Sequence, residues 1–450
     1  MAHGEVVSHL FLVQRSEVRI LVGQPNMINF LDKIFLRSNN LDYVNQNIKN
    51  LTKNTPAEKI FKAINSYSLD SEIRYVGGCI RKIINKELVD DIDLATNLQP
   101  AQVCEALKKN NINYYETGIE HGTITAIINE YKFEITTLRE DVITDGRHAK
   151  IKFSKSWRED ASRRDFTINS IYSDEKGNLF DPHNGKKDLE NGYINFIGDV
   201  DKRIKEDYLR ILRYLRFFLS YSKQPHKLEV IRNLKINIDG ISKLSKERLL
   251  DELKKTLKID KLEKLSKDKI SLELILIIFP ELKNIKIFYK LDSIKKDILR
   301  KADFILLLSL MIIDGTDNAD YFLFKFNLSK KNQKRIKIIN EFYREKINIK
   351  SFSENNMNKI LYYSGKQAVI DIINFRIISL KKVDEKLLKL RKQYENKTIP
   401  KISIGADTLM SKYKIPEGKQ LGKKLKMIEE EWVKNNFKIS DQQVEYIVKD

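Results

Sequence analysis

The spacing of apolar residues changes character twice along this chain. Residues 27–70 carry helix-period spacing, and Pro56 opens one segment at Pro56-Ala57-Glu58-Lys59, where a first-turn proline sacrifices no hydrogen bond. Short β-branched, aromatic or alternating runs follow at Ile73–Val76, Asp91–Leu94, Thr123–Ile128 and Tyr131–Leu138. Glycine and asparagine bound them, and they predict strands. Helical spacing lies between these runs over residues 79–87 and over 100–110, behind Pro100. The pattern predicts an α+β N-terminal domain, with helices around a small mixed or antiparallel sheet, ending near residue 175. From Asp199 onward the pattern is helical almost throughout: Ile204, Tyr208, Ile211, Leu212, Leu215 and Phe218 fall at helical spacing across Lys202–Tyr221. Residues 227–450 contain few glycines and no strong strand signal, so the remainder reads as all-α. No internal repeat is present.

At 450 residues the chain exceeds one ordinary core, and two to four domains follow. Boundaries fall near 175–200, near 225 and around 345–350. Hydrophobic residues make up 42% and charged residues 32%, the balance of a soluble globular protein. No run of about 18 uncharged apolar residues exists, so no membrane span is expected. The longest apolar stretch, Phe304–Ile313, sits in a charged neighbourhood and reads as a buried helix. Leu10–Val22 includes Arg15, Glu17 and Arg19, which break up any signal-peptide core; residues 1–26 carry no functional weight, and Met27 offers an alternative start. The net charge of +20, from 82 Lys+Arg against 62 Asp+Glu, favours a polyanionic partner through phosphate neutralisation, although lysine-rich solvated faces would give the same sum. Cys79 and Cys104 supply neither a disulfide framework nor zinc spacing, which points to a reducing cytoplasm.

The chemistry concentrates at Gly77-Gly78-Cys79-Ile80-Arg81, followed ten residues after the arginine by Asp91-Ile92-Asp93-Leu94-Ala95-Thr96. On a strand, Asp91 and Asp93 share a face because the side-chain period is two. Two adjacent carboxylates repel unless a cation separates them, and oxygen-only ligands suit magnesium, which also binds phosphate oxygens. The upstream glycines allow backbone N–H groups to approach a triphosphate, and Arg81 can pair with it. A bare Asp-x-Asp is common by chance; the preceding Gly-Gly-x-x-Arg at fixed distance is what gives it weight.

These residues resemble the first motif of the polymerase-β-like nucleotidyltransferases, and more narrowly of the bacterial tRNA CCA-adding enzyme and poly(A) polymerase family. Further segments match in the same order. Phe133-Glu134-Ile135-Thr136-Thr137-Leu138-Arg139 is similar to the strand that follows, and Arg163-Arg164-Asp165-Phe166-Thr167-Ile168-Asn169-Ser170 to the second motif. Asp181-Pro182, Gly185 and Asp188-Leu189 resemble the third motif, and Glu206-Asp207-x-x-Arg210-x-x-Arg213-x-x-Arg216-Phe217 the fourth. The resemblance covers residues 73–222. It implies a catalytic head over 27–175, a base-recognising neck over 176–225, a helical body over 226–345 and a tRNA-contacting tail over 346–450.

It also implies roles. Asp91 and Asp93 would hold Mg²⁺, with Glu134 on a neighbouring strand as third catalytic carboxylate or, alternatively, a solvent-facing strand residue. Gly78, Arg81 and Arg164 would bind nucleotide phosphates. Arg164 and Asp165 are expected to open a helix, with Asp165 capping it or orienting its neighbours. Asp207 and Arg210, three apart on a helix, are surface neighbours. By ordinary rules they form an ion pair; the resemblance implies base reading instead. Cytosine and adenine both present an exocyclic amine beside an unprotonated ring nitrogen, to which a carboxylate and a guanidinium are complementary, whereas guanine and uracil reverse that order. Arg213 and Arg216 drift around the helix and would contact phosphate, support that pair, or form a solvated basic stripe. Residues 141–160, with Thr144-Asp145-Gly146-Arg147-His148, resemble the flexible loop of enzymes that complete CCA. All six histidines lie at or before His226, so the later chain cannot build a His-Asp phosphohydrolase site. The implied activity is addition of two CMP and one AMP to tRNA from CTP and ATP, with no stable protein partner. A poly(A) polymerase and a non-catalytic RNA-binding protein on the same scaffold are the rivals.

Overall fold

The computed structural model describes residues 40–144, 149–345, 347 and 349–449. Residues 1–26 and the segment 145–148 of the expected loop lie outside them. The chain forms two compact units that divide between Leu244 and Ser245.

The first unit opens with helices α1 (Asn40–Asn54) and α2 (Ala57–Asn65). A seven-stranded sheet follows, built from β1 (Ile73–Val76), β2 (Ile92–Thr96), β3 (Asn113–Gly118), β4 (Thr123–Ile128), β5 (Tyr131–Thr137), β8 (Tyr172–Ser173) and β9 (Leu179–Phe180). Its order is β3-β4-β5-β2-β1-β8-β9. Only the central β2–β5 pair is parallel, so the sheet is mixed. Helix α3 (Gly78–Ile84) links β1 to β2, and α4 (Pro100–Lys109) follows β2, its first turn closed by reciprocal Gln99 and Gln102 bonds. Ile92, Leu94, Phe133 and Ile135 are buried on the central strands, each of these side chains worth about 1.5–3 kcal/mol of transfer free energy.

Residues expected as a loop form a second, two-stranded sheet instead. β6 (Arg139–Thr144) pairs antiparallel with β7 (Ala149–Phe153), with a register shift between Asp141 and Ile143. Helix α5 (Trp157–Arg163) comes next, capped by Ser156 accepting from Glu159 N. A core of Val76, Ala95, Leu138, Ala161 and Tyr172 ties α5 to the sheet. Helix α6 (Gly185–Asn191) then leads to α7 (Val200–Glu206), α8 (Leu209–Tyr221) and α9 (Leu228–Ile236). The helical run expected across Lys202–Tyr221 is therefore two helices, broken at Asp207–Tyr208. Asp207 is extended, at φ −154°, and its Oδ1 accepts from Leu209 N at 3.1 Å, which starts α8 afresh.

The second unit is helical, from Lys246–Thr256 to Asp441–Lys449, with no strand among its described residues. The apolar stretch near Phe304 is a helix, Phe304–Ile312, buried from Ile305 to Ile312. Among the described residues no helix is long and apolar enough to cross a membrane.

Candidate active site

Gly77 sits between β1 and α3 at φ +67°, a left-handed conformation that glycine adopts without strain. Its turn brings α3 over the end of β2. A side chain at Gly78 would lie 3.7 Å from Asp93 Oδ2 and 4.0 Å from Arg81 Nη2, so the absence of one keeps the space beside the carboxylate open. Strand β2 begins at Ile92, which leaves Asp91 exposed at its mouth and Asp93 half-buried within it. The parallel register then sets Asp93 opposite Glu134 of β5.

The three carboxylates feel one another. Desolvation, then Asp91, then Glu134 push the Asp93 carboxyl up to about 7, against the opposing pull of Arg164 and Arg81. Partial desolvation and Asp91 raise Glu134 as well. Among the described residues no three histidine, cysteine, aspartate or glutamate side chains converge as a ready-made ligand set. One or two carboxylates completed by water and phosphate oxygens is the way magnesium is ordinarily held, and a cation would relieve the crowding around Asp93. The donors fit a hard divalent ion.

Arg81 is buried and stacks over Phe217 and Tyr221 of α8, with centroids 4.8 and 5.4 Å from its Cζ. Its Nη1 donates to Asn169 Oδ1. Arg164 and Asp165 do not open a helix: α5 ends at Arg163 and Arg164 is extended. The guanidinium turns back on α5 instead, donating to Asp160 Oδ2 at 3.2 Å and to Tyr172 Oη at 2.9 Å. Burial alone would raise Asp160, but Arg164 and Arg163 overcome it and hold the carboxyl down at about 2. Asp165 behaves alike. It accepts from Phe166 N at 2.9 Å, Asn169 Nδ2 at 2.8 Å and Arg213 Nε at 2.6 Å, and Arg213 with these bonds offsets burial to leave it at about 2. Of its two expected roles, Asp165 takes the orienting one.

Asp207 and Arg210 meet across the helix break rather than along one helix, with Arg210 N bonded to the Asp207 carbonyl at 3.0 Å. Arg210 is 9% exposed, and its guanidinium is steered by Glu206 Oε2 at 2.6 Å and the Arg203 carbonyl at 2.7 Å. Arg216 lies over the Phe217 ring, 4.1 Å from its centroid. The third motif supports the second. Asp181 accepts from Gly185 N and Lys186 N, both at 2.8 Å, and Asp188 accepts from Thr167 Oγ1 at 2.6 Å and Asn195 Nδ2 at 2.9 Å.

Asp91, Asp93, Glu134, Arg81 and Arg164 thus share one electrostatic neighbourhood, and Asp165, Arg210 and Arg213 a second. Sequence reasoning passed over Asp160, Asn169 and Glu206 as site residues. Asp160 had a signal: it stands three and four residues before Arg163 and Arg164, the spacing of helical ion pairs.

Residues 73–195 match the Poly A polymerase head domain family, and residues 299–446 match tRNA nucleotidyltransferase domain 2. The CCA-adding enzyme of Listeria monocytogenes is 32% identical over 312 residues, which cover 67% of this chain and 74% of that protein. The chain belongs to the CCA-adding enzyme family. Human mitochondrial CCA tRNA nucleotidyltransferase 1 is 46% identical over 189 residues, 41% of this chain, and the chain spans less than half the length of that relative, 44%. Among solved structures, the Bacillus stearothermophilus CCA-adding enzyme in complex with CTP has the same fold, with a TM-score of 0.64 at 20% identity over 87% of this chain and 96% of its own. The Thermotoga maritima CCA-adding enzyme complexed with tRNA aligns at a TM-score of 0.54 and 18% identity, over 86% and 94%.

Proposed function

We propose that this chain is a template-independent CCA-adding tRNA nucleotidyltransferase, adding CMP, CMP and AMP from CTP and ATP to the tRNA 3′ end with release of pyrophosphate. The observation that carries the reading is the β2–β5 register, which puts Asp93 beside Glu134 within the field of Arg81 and Arg164. The family implies a divalent metal, and Mg²⁺ is the ion these oxygen donors suit, with Asp91 and Asp93 as its ligands. When bound, it supplies Lewis-acid activation of the ribose 3′-hydroxyl and neutralises charge on the departing pyrophosphate.

The remaining steps belong to the chain. Arg81 and Arg164 pair with triphosphate oxygens, and Gly78 leaves room for them. The 3′-hydroxyl gives up its proton to solvent as its oxygen bonds the α-phosphorus, the bond from that phosphorus to the bridging oxygen breaks and pyrophosphate leaves; Glu134, exposed on β5 opposite Asp93, adds the third carboxylate. Asp207 and Arg210 present acceptor and donor to the amine and ring nitrogen of cytosine or adenine, with Glu206 holding the guanidinium in plane. Arg213 and Arg216, further along α8, contact phosphate or support the Asp207–Arg210 pair. In this reading a head over 27–175 and a neck over 176–225 carry the chemistry, the helical body over 226–345 and tail over 346–450 meet the tRNA by shape and phosphate charge, and the protein acts in the cytoplasm.

tRNA transcripts ending before CCA, supplied with labelled CTP and ATP, test this directly. A three-nucleotide extension that needs both nucleotides supports the proposal. A long ladder from ATP alone makes the protein a poly(A) polymerase, and RNA binding without any product makes it non-catalytic.

A further inference from the structure

The Asn169 amide stands between opposite charges. Its Oδ1 accepts from Arg81 Nη1, and its Nδ2 donates to Asp165 Oδ1 at 2.8 Å. Asp165 is in turn gripped by Arg213 of α8 at 2.6 Å. The same helix carries Arg210, and also Phe217 and Tyr221, whose rings flank the Arg81 guanidinium. Arg81 is therefore tied to α8 twice, once by rings and once through a polar relay running Asn169, Asp165, Arg213. Arg81 Nε is buried without a hydrogen-bond partner, so the bond to Asn169 and the two rings set the plane of the guanidinium.

The chemistry of the gap selects the residue. One short side chain must offer an acceptor toward a guanidinium and a donor toward a carboxylate, and an asparagine amide does both. Alanine offers neither, and aspartate would oppose a second carboxylate to Asp165. Asn169 is itself 6% exposed, and its carbonyl oxygen lies 3.5 Å from where a side chain on Gly77 would project, so it also borders the glycine turn beside the paired aspartates.

We infer that Asn169 is a positioning residue for nucleotide transfer: it fixes the Arg81 guanidinium, and with it the triphosphate, in register with the helix that carries Arg210. This rests on the functional reading given above. Asn169 touches no reacting atom and acts through Arg81 and Asp165.

The test uses the full chain and reads binding separately from turnover. Calorimetry gives affinities for CTP and CMP, and steady-state incorporation of CMP on a tRNA transcript lacking CCA gives KM and kcat. In Asn169→Ala the affinity for CTP falls about tenfold and KM for CTP rises correspondingly, the scale of one lost hydrogen bond to a charged group, while CMP affinity and kcat change far less. Adding Asn169→Ala to Arg81→Ala produces little further loss of CTP affinity, because Asn169 acts through Arg81 and has nothing left to position once it is gone. Asn169→Asp keeps the size and the acceptor toward Arg81 but loses the donor to Asp165, so its preference for CTP over CMP falls between those of the parent and Asn169→Ala. An unchanged CTP-to-CMP ratio in Asn169→Ala, additive losses in the double variant, or an equal fall for both nucleotides tracking the melting temperature would overturn the inference. A parent protein that binds CTP but extends no tRNA would defeat the functional reading instead, and the binding comparison would still decide the role of Asn169.

Discussion

Glu134 stands beside Asp93 across the one parallel boundary of the sheet, between β2 and β5. The two carboxyls differ in setting: Asp93 is half-buried and pushed up to about 7, while Glu134 faces solvent on its strand. Asp93 is the one that a cation must reach for the cluster to carry its full negative charge.

The two acidic residues should therefore fail differently. Asp93→Asn is expected to lower nucleotide incorporation by about a thousandfold or more, since it removes a metal ligand, with RNA binding retained because no basic surface is touched. Glu134→Gln keeps Asp91 and Asp93 and should lose less, on the order of tenfold to a hundredfold. Single-turnover rates alongside filter binding measure both; near-parent turnover in Asp93→Asn defeats the metal assignment.

Base choice is predicted to depend on how Arg210 is held. Arg210→Ala removes the donor to the ring nitrogen, and incorporation of UTP or GTP relative to CTP should rise by at least about tenfold. Glu206→Ala leaves Arg210 in place but takes away the acceptor at 2.6 Å, so a smaller rise in the same direction is expected. Competition assays with paired nucleotides report the ratio. Unaltered preference in Arg210→Ala would remove Asp207 and Arg210 from base reading.

Local pattern carried much of this architecture. The bounds of β1 and β4 coincide with apolar or β-branched runs between turn residues, and Pro100 marks the start of α4. What escaped has tertiary causes. β8 and β9 are two residues each and exist only because β1 pairs with Tyr172 and Ser173. β3 lies at the sheet edge with an irregular register and an exposed Tyr115, so it lacks the alternation of a half-buried strand. β6 and β7 were hidden by the charge of residues 139–152, which reads as loop although apolar and polar residues alternate over Ala149–Phe153. At the site, the motifs located the residues but not their partners. That Arg164 turns back to Asp160 is a local pairing at helical spacing, whereas the grip of Arg213 on Asp165, 48 residues away, depends on distances set by the fold.

Gly185 offers a test of the third motif as scaffold. A Cβ there would fall 2.0 Å from the Thr167 carbonyl oxygen, which belongs to the turn carrying Asn169. Backbone must move, so Gly185→Ala should cost about 1–3 kcal/mol by overpacking. The loss would appear as a lower melting temperature together with weaker CTP binding. A variant with parent-like stability and affinity would show that Asp181 to Asp188 does not support the site.

Acid should unfold the first unit through its buried aspartates. Asp160 and Asp165 are 1% and 7% exposed, and both are held at about 2 from an ordinary 3.8. Because the folded-state values are depressed, the stabilisation is complete above about pH 4 and drains away as pH falls toward 2, with each group contributing roughly 2 kcal/mol. Asp160→Asn should therefore flatten the dependence of melting temperature on pH between 4 and 2. At neutral pH the same change should cost about 3–5 kcal/mol, since Arg163 and Arg164 lose a buried counter-charge. Arg164 also turns on Asp160 through Nε and Nη2, so the variant should weaken CTP binding before it unfolds. Thermal melts at stepped pH, paired with CTP titrations, separate the two effects; a pH slope identical to the parent's would mean that Asp160 carries no such coupling.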